Sequence, residues 1–349
     1  MANRVLLVPV DNYFDDFWAV EPASLATSGF ATFGVLSSEI LGFEMKLAKD
    51  VEPTEHGETL GHAVSLGFPP FSFSPTTSRV TKLVDVITRS LDSEELTPTE
   101  AGSVAGKCTY ALTAVYGRVG RAALKPVYAR QQGNTRETRV WGSLKIALIW
   151  LRRVLRSAPP RPVPLLEDVF PERRLWVDAA GDGWLAAVFR ADRDSPLLYT
   201  RVRVPDHLIG WLRPRSNYIT FLEVAAAFLG LATFRQQLHA SLVVLFCDNR
   251  GQEGILRKGF SSAWDIAVLS GIFWELAALE RVDVFVERVP SEENVADYPI
   301  RMNDEACRRA VAHVFAMQYV KPRGVKVLEQ VFQYLFEHPN DYPEVSFLV

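Results

Sequence analysis

Four acidic residues in the second half of the sequence, Asp178, Glu223, Asp248 and Asp297, each end or interrupt a run of apolar residues. A carboxylate in such surroundings is costly to bury unless it is paired or binds a cation. Two or three carboxylates plus water make the hard, oxygen-rich coordination that magnesium prefers. A site of that kind can activate water, stabilise a leaving oxygen and neutralise a phosphate held in line, which is the chemistry of phosphodiester cleavage. Taken singly, each acid has an ordinary structural explanation. Asp178 and Asp248 could form strand-end turns, Asp297 could cap a helix, and Glu223 could be a partly buried paired acid. Four such positions in one fold-sized stretch fit chance less well, provided the elements between them bring them together.

The elements follow a distinctive order. The spacing of apolar residues predicts strands at Arg174–Asp178, Gly183–Arg190 and Leu197–Val204, then a long apolar helix at Ile219–Leu238 and a buried strand at Leu242–Cys247. Helices at Gln252–Lys258 and Ala263–Glu280, a strand at Val282–Val289 and a last helix from Glu293 complete the series. A meander of three strands followed by alternating helix and strand predicts an α/β fold with a mixed five-stranded sheet and flanking helices. The strands ending at Asp178 and before Asp248 could lie side by side and parallel. Sites in open α/β sheets form outside the carboxyl ends of strands, so both acids would emerge at one edge. Glu223 lies in the opening turns of the connecting helix. Asp297 begins the final one, beside Asn294, a possible capping or orienting group.

The chain of 349 residues is long enough for two or three domains. It opens with a predicted strand at Val5–Val10, an acidic turn at Asp11–Asp16 and a second apolar stretch at Phe17–Val20. A helix is expected over Pro22–Gly42, with Leu25, Phe30, Phe33, Leu36 and Ile40 on its apolar side, and short strands at Lys46–Val51 and Thr59–Leu66. Pro69–Thr77 reads as a linker. Helices follow at Val80–Leu91, Thr97–Val115 and Leu144–Leu155, the second opened by Thr97, Pro98 and Glu100 in a capping-box pattern. Proline from Pro159 to Pro164 is dense enough to exclude helix and sheet interior alike, so 158–170 is read as a boundary. The resulting division is 1–68, a helical basic region 69–157, the linker 158–170, the main α/β domain 171–305 and a helical tail 306–349. The tail carries helices around Glu305–Tyr319 and Val325–Phe336.

Net charge is −3, but its distribution is uneven. Between Ser103 and Arg161 there are twelve basic residues against the single acid Glu137, so that block carries +11 and leaves −14 to the remainder. A basic block beside an acidic, metal-ready region suits a protein that grips a phosphate backbone and cuts it; the plainer reading is a solvated helical face. Cys108, Cys247 and Cys307 are too scattered for a disulfide framework or a zinc knuckle, which points to a reducing compartment. No apolar run approaches the roughly 20 residues needed to span a bilayer, and the N-terminus has no signal-peptide pattern. The expected location is therefore intracellular, cytoplasm or nucleus, with no membrane partner.

Four segments carry a family resemblance: Leu175-Trp176-Val177-Asp178-Ala179-Ala180, Phe221-Leu222-Glu223, Leu245-Phe246-Cys247-Asp248-Asn249, and Val289-Pro290-Ser291-Glu292-Glu293-Asn294-Val295-Ala296-Asp297. They resemble the catalytic blocks of ribonuclease H domains in retroelement reverse transcriptases, over roughly Leu175 to Arg301. The resemblance implies an endonuclease dependent on magnesium, or manganese, that cuts RNA in RNA–DNA hybrids, with Asp178, Glu223, Asp248 and Asp297 as metal ligands. Many family members carry a histidine in the loop before the last acid. Here Ser291, Glu292 and Glu293 stand there, which bears on turnover more than on the chemistry. Exonucleases of the same broad fold generally place a glutamate one residue from the first aspartate, whereas Asp178 is followed by Ala179 and Ala180.

Tyr13-Phe14-Asp15-Asp16 resembles the tyrosine-x-aspartate-aspartate box of reverse transcriptase palms, where a tight hairpin presents two carboxylates to a pair of metals. Leu41-Gly42 with Lys49, then Leu60-Gly61, resemble the next palm blocks. Gly106-Lys107 and Gly117-Arg118-Val119-Gly120-Arg121 look like the region joining palm to nuclease, where Lys107, Arg118 and Arg121 would contact phosphates, as Asn249 and Asn294 would nearer the acids. Residues 1–68 are thus expected to be a partial α+β palm. A palm needs a further aspartate on an earlier strand and fingers to hold template, so this chain alone is not expected to polymerise; an upstream segment or chain could complete it. The alternative to a nuclease is a retroelement remnant that binds nucleic acid without cutting it.

Overall fold

The computed structural model describes residues 10–13, 16–46, 48, 50–66, 71–115, 117–133, 136–163, 170–216 and 218–337. The first elements are strands β1 (Val10–Tyr13) and β2 (Asp16–Ala19), paired antiparallel with Tyr13 opposite Asp16. Asp11, Asn12 and Tyr13 therefore belong to a strand rather than to the expected turn. Asp15 and Lys49 lie outside the described residues, as does the stretch 1–9. Helix α1 (Ala23–Val35) continues into a π-helical turn at Leu36–Ile40. Its apolar side is largely uncovered: Leu36 is buried, whereas Leu25 and Ile40 are exposed.

Three strands come next, β3 (His56–Thr59), β4 (His62–Ser65) and β5 (Phe71–Pro75). Four helices follow, α2 (Thr77–Asp92), α3 (Pro98–Leu112), α4 (Arg121–Gln132) and α5 (Gly142–Ser157), and then strand β6 (Arg161–Val163). The four strands form an antiparallel sheet in sequence order. Two segments read as linkers thus pair with one another, β5 with β6. Proline cannot donate to a ladder, and Pro162 lies on the edge strand, where a missing donor costs least. The strand expected at Lys46–Val51 does not form among the described residues. The capping box is present, Glu100 N donating to Thr97 Oγ1 at 3.2 Å and Thr97 N to Glu100 Oε2 at 3.0 Å. Helix α4 was not expected. Gly120 enters it in the left-handed region (φ 76) and Pro126 lies inside it, both of which read locally as breakers.

The second half forms β7 (Glu172–Ala179), β8 (Trp184–Arg190), β9 (Leu198–Arg203), α6 (Asp206–Leu212), α7 (Tyr218–Thr233), α8 (Arg235–Leu238) and β10 (Leu242–Cys247). It continues with α9 (Arg250–Lys258), α10 (Trp264–Leu279), β11 (Asp283–Arg288), α11 (Asp297–Ile300), α12 (Glu305–Arg309), β12 (Gln318–Tyr319) and α13 (Val325–Glu337). These strands make one mixed sheet in the order β11-β10-β7-β8-β9-β12. β10 runs parallel to both β7 and β11, and β8 antiparallel to β7 and β9. All five expected strands are present, and a sixth is added. The helix expected to reach Tyr319 stops at Arg309, passes through a π-helical turn at Ala310–Val314, and gives way to β12. There the amides of Gln318 and Val320 donate to the free carbonyls of Leu197 and Tyr199, satisfying an otherwise open sheet edge.

One sheet face is buried under α7. Its contact with the strands is close: a Cβ at Gly230 would lie 2.9 Å from Ala187 Cβ and 3.3 Å from Leu175. Gly230 follows Glu223 by two helical turns at about 3.6 residues per turn, so the residue that seats the helix shares a stripe with the acid. Helix α10 packs on α7 and also on the helical region. Trp150 of α5 sits over Gly271, Trp274 sits over Gly117, and Arg153 pairs with Glu275. The main apolar core runs from Leu83 to Leu335, and a smaller cluster of Val188, Ala296, Val311 and Met317 lies apart from it. The main core includes α13, whose Phe332 and Phe336 meet Phe221 and Trp211 at ring-centroid distances of 5.0 and 5.9 Å. Among the described residues no helix is long and apolar enough to cross a membrane.

Candidate metal centre

The parallel pairing of β7 and β10 sets Trp176 opposite Phe246. Two residues further along each chain, Asp178 and Asp248 stand level at the carboxyl edge of the sheet. Helix α7 returns over the same strands and brings Glu223 to that edge. One carboxylate oxygen from each of Asp178, Glu223 and Asp248 lies within 4.8 Å of the other two. Asp178 and Glu223 are buried and Asp248 is half-buried, so the group has a closed back and an open front.

The electrostatics are those of a site short of positive charge. Burial, then the charges of Asp248 and Asp297, push the Asp178 carboxyl up to about 7, against a 2.9 Å hydrogen bond donated by Ala179 N. Burial, then Asp178 and Asp248, raise Glu223 well above the ordinary glutamate range. Among the described residues Glu223 Oε2 is buried without a hydrogen-bond partner, which for a carboxylate oxygen is an expensive vacancy. Burial also raises Asp297, partly offset by Arg301, whose Nε lies 2.8 Å from Asp297 Oδ1. The neighbouring thiol of Cys247 is pushed up to about 12 by burial and then by Glu223, so it stays protonated and adds no soft ligand. An all-oxygen, buried and under-bonded donor set fits a hard divalent cation and is compatible with magnesium. The residues present could hold such an ion.

The charge of Asp297 raises Asp178, and that of Asp248 raises Asp297, but Asp297 stands outside the three-carboxylate group. Its approach is fixed by Asn294, which is 1% exposed and donates from Nδ2 to the Val177 carbonyl at 3.1 Å, tying the loop to the strand that carries Asp178. Asn249 caps α9, its Oδ1 accepting from Gln252 N at 3.0 Å. The loop Ser291–Glu293 is an exposed 3-10 turn. Asp16 begins β2 in the separate N-terminal hairpin. Two residues that sequence reasoning passed over also serve the site. Gln252 Nε2 donates to the Glu223 carbonyl at 2.6 Å, and Arg301 faces Asp297. The spacing of Asp297 and Arg301, one helical turn apart, was the available signal for the second.

Several side chains of the basic block are engaged within the protein. Arg118 Nε donates to the Arg257 carbonyl at 2.8 Å, and Lys125 Nζ to the Ser262 carbonyl at 2.8 Å, both joining the helical region to the sheet domain. Arg130 is committed to the carbonyls of Leu96, Glu137 and Arg139, Lys145 to Glu94, Arg153 to Glu275 and Arg161 to Asp283. Arg121 is half-buried, and burial followed by the Arg118 charge lowers its pKa; Lys107 stands exposed on α3.

No family model matches the sequence, and no curated protein matches it either. Among solved structures, the foamy viral protease-reverse transcriptase dRH in complex with ds DNA is similar over 80% of this chain and 46% of that one, with a TM-score of 0.38 and 13% identity. The chain thus spans less than half the length of that protein. A likeness so distant leaves the functional reading to the residues themselves.

Proposed function

We propose that this protein is a ribonuclease H-type endonuclease that cleaves RNA in RNA–DNA hybrids by two-metal hydrolysis, with Asp178, Glu223, Asp248 and Asp297 as its catalytic acids. The observation that carries this reading is the convergence of three of those acids at one sheet edge, with Glu223 Oε2 buried and unpartnered among the described residues. Magnesium or manganese bound there would supply activated water and neutralise charge on the scissile phosphate. Asp178 and Glu223 form the rigid back of the site, the latter held through its carbonyl by Gln252. Asp248 and Asp297, both half-buried, form the side open to a phosphodiester. Asn294 keeps the Asp297 loop against the strand of Asp178, so the fourth acid is positioned before substrate arrives.

In the same reading, 171–305 is the nuclease unit, 69–157 a connecting region and 1–68 the end of a polymerase palm. The antiparallel pairing of β1 with β2, Tyr13 opposite Asp16, supports the last of these. Incubation of a labelled RNA–DNA hybrid with magnesium tests the nuclease reading, comparing wild type with Asp248→Asn, a half-buried position that tolerates an isosteric change. Wild type should release internal RNA fragments and the variant should lose at least about a hundredfold in rate, the scale of removing one preorganised charge-stabilising group. No cleavage by wild type, or equal cleavage by both, would overturn it.

A further inference from the structure

The sheet face that carries Asp178 is not fully covered. Register places Asp178 beside Ala186 and Ala186 beside Arg201, so the three form one cross-strand row with side chains on the same face. With strands about 4.8 Å apart, Arg201 lies roughly 10 Å across the sheet from the metal centre. Next to it is an open groove of about 580 Å³, lined by Trp184, Tyr199, Arg201, Arg203, Met302 and Tyr319 among others. The Arg201 guanidinium lies over the Trp184 ring at 3.8 Å, and its Nη1 donates to the Pro299 carbonyl at 3.0 Å, two residues from Asp297. Tyr199 and Tyr319 meet edge to face at 5.5 Å, with Tyr319 exposed. Among the described residues no acid lines the groove. Arg203 pairs with Asp206 at 2.7 Å between exposed side chains, a contact that a competing phosphate can replace.

We infer that this groove is a subsite for unpaired nucleotides flanking the hybrid, with Tyr319 and the Arg201 plane as stacking surfaces and Arg203 as a phosphate contact. Aromatic faces interleaved with arginine are the chemistry that grips single strands, since every exposed base offers a π-face. Bases inside a duplex are stacked on one another and cannot use such faces. At about 3.4 Å of rise per nucleotide, a roughly 10 Å separation places the first unpaired base two or three nucleotides from the metal centre. The inference rests on the hybrid-nuclease reading for the position of the duplex.

Fluorescence anisotropy in EDTA, with the full chain, measures binding without cutting. The probes are a blunt RNA–DNA hybrid and the same hybrid with a single-stranded extension. Wild type should bind the extended hybrid about tenfold more tightly, within the range of stacking a single base. The double variant Tyr319→Ala/Arg203→Ala alters two exposed side chains and should lose that increment, with blunt-hybrid affinity and melting temperature unchanged. If the extension adds no affinity in wild type, or the variant keeps the increment, the inference is overturned. A parallel magnesium assay on the blunt hybrid separates the two readings. Cleavage with no extension effect sinks only the groove, whereas an extension effect without cleavage sinks the nuclease reading and leaves the groove a single-strand site.

Discussion

Two pairs of buried acids in this molecule keep opposite company. On α10, Asp265 and Glu275 are 5% and 7% exposed, and each faces an arginine from another element, Arg215 at 2.5 Å and Arg153. At the sheet edge, Asp178 and Glu223 are 7% and 3% exposed, yet the strongest charges acting on each are carboxylates. Burial is equal, so burial alone does not mark a functional site. The difference lies in compensation. Where the acid is structural, the fold supplies a guanidinium; at the sheet edge it leaves a deficit of positive charge that a divalent cation can fill.

The largest expected effect contrasts one acid from each pair. Glu223→Gln should reduce hybrid cleavage at least about a hundredfold, whereas Glu275→Gln, far from the metal centre in role, should leave the rate of the folded protein near wild type. Equal loss in both would erase the functional distinction. Stability should respond in the opposite sense. Arg153→Ala leaves Glu275 buried without its cation and should cost about 2–3 kcal/mol in urea unfolding, toward the low end for a broken buried pair because Arg153 is one-third exposed.

Asp178→Asn should instead stabilise the metal-free protein, by roughly 1–2 kcal/mol at pH 8. The sign follows from the raised carboxyl. Its folded value of about 7 lies above the ordinary 3.8, so the folded state holds the proton more tightly than the unfolded chain. The burial penalty is therefore absent below about pH 4, grows as pH rises toward 7 and is complete above it. Melting curves in EDTA should show wild type losing stability across that window and the variant losing less. Magnesium should raise the wild-type melting temperature more at pH 8 than at pH 5. A smaller effect is expected at Gly230→Ala, where the new methyl would press on Ala187 and lift the helix that carries Glu223. Crowding should outweigh the helix-propensity gain and cost about 1 kcal/mol net, with a fall in cleavage that the same change at Gly210, which has open space, does not produce.

Much of the site was legible in the sequence because its signals are local. Asp178 and Asp248 fall at the ends of strands with unambiguous apolar runs, and β10 has the predicted bounds, Leu242–Cys247. What was not legible depends on partners distant in the chain. Phe71–Pro75 looks like a linker until Arg161–Val163 supplies a strand to pair with it. Gln318–Tyr319 looks helical until the open edge of β9 captures it. Helix α4 was hidden by Gly120 and Pro126, which read as breakers when their tertiary setting is unknown. Counting charges cannot show which basic side chains also reach carbonyls within the protein, as those of Arg118, Lys125 and Arg130 do. Conversely, Tyr199, Arg201 and Arg203 alternate along one strand and could have been assigned to one face from spacing alone.

Manganese titration followed by electron paramagnetic resonance tests the central claim, that the uncompensated acids form a divalent-cation site. Wild type should take up manganese stoichiometrically, Glu275→Gln should match it, and Asp178→Asn/Asp248→Asn should bind none over the same range. No uptake by wild type, or undiminished uptake by the double variant, would contradict it.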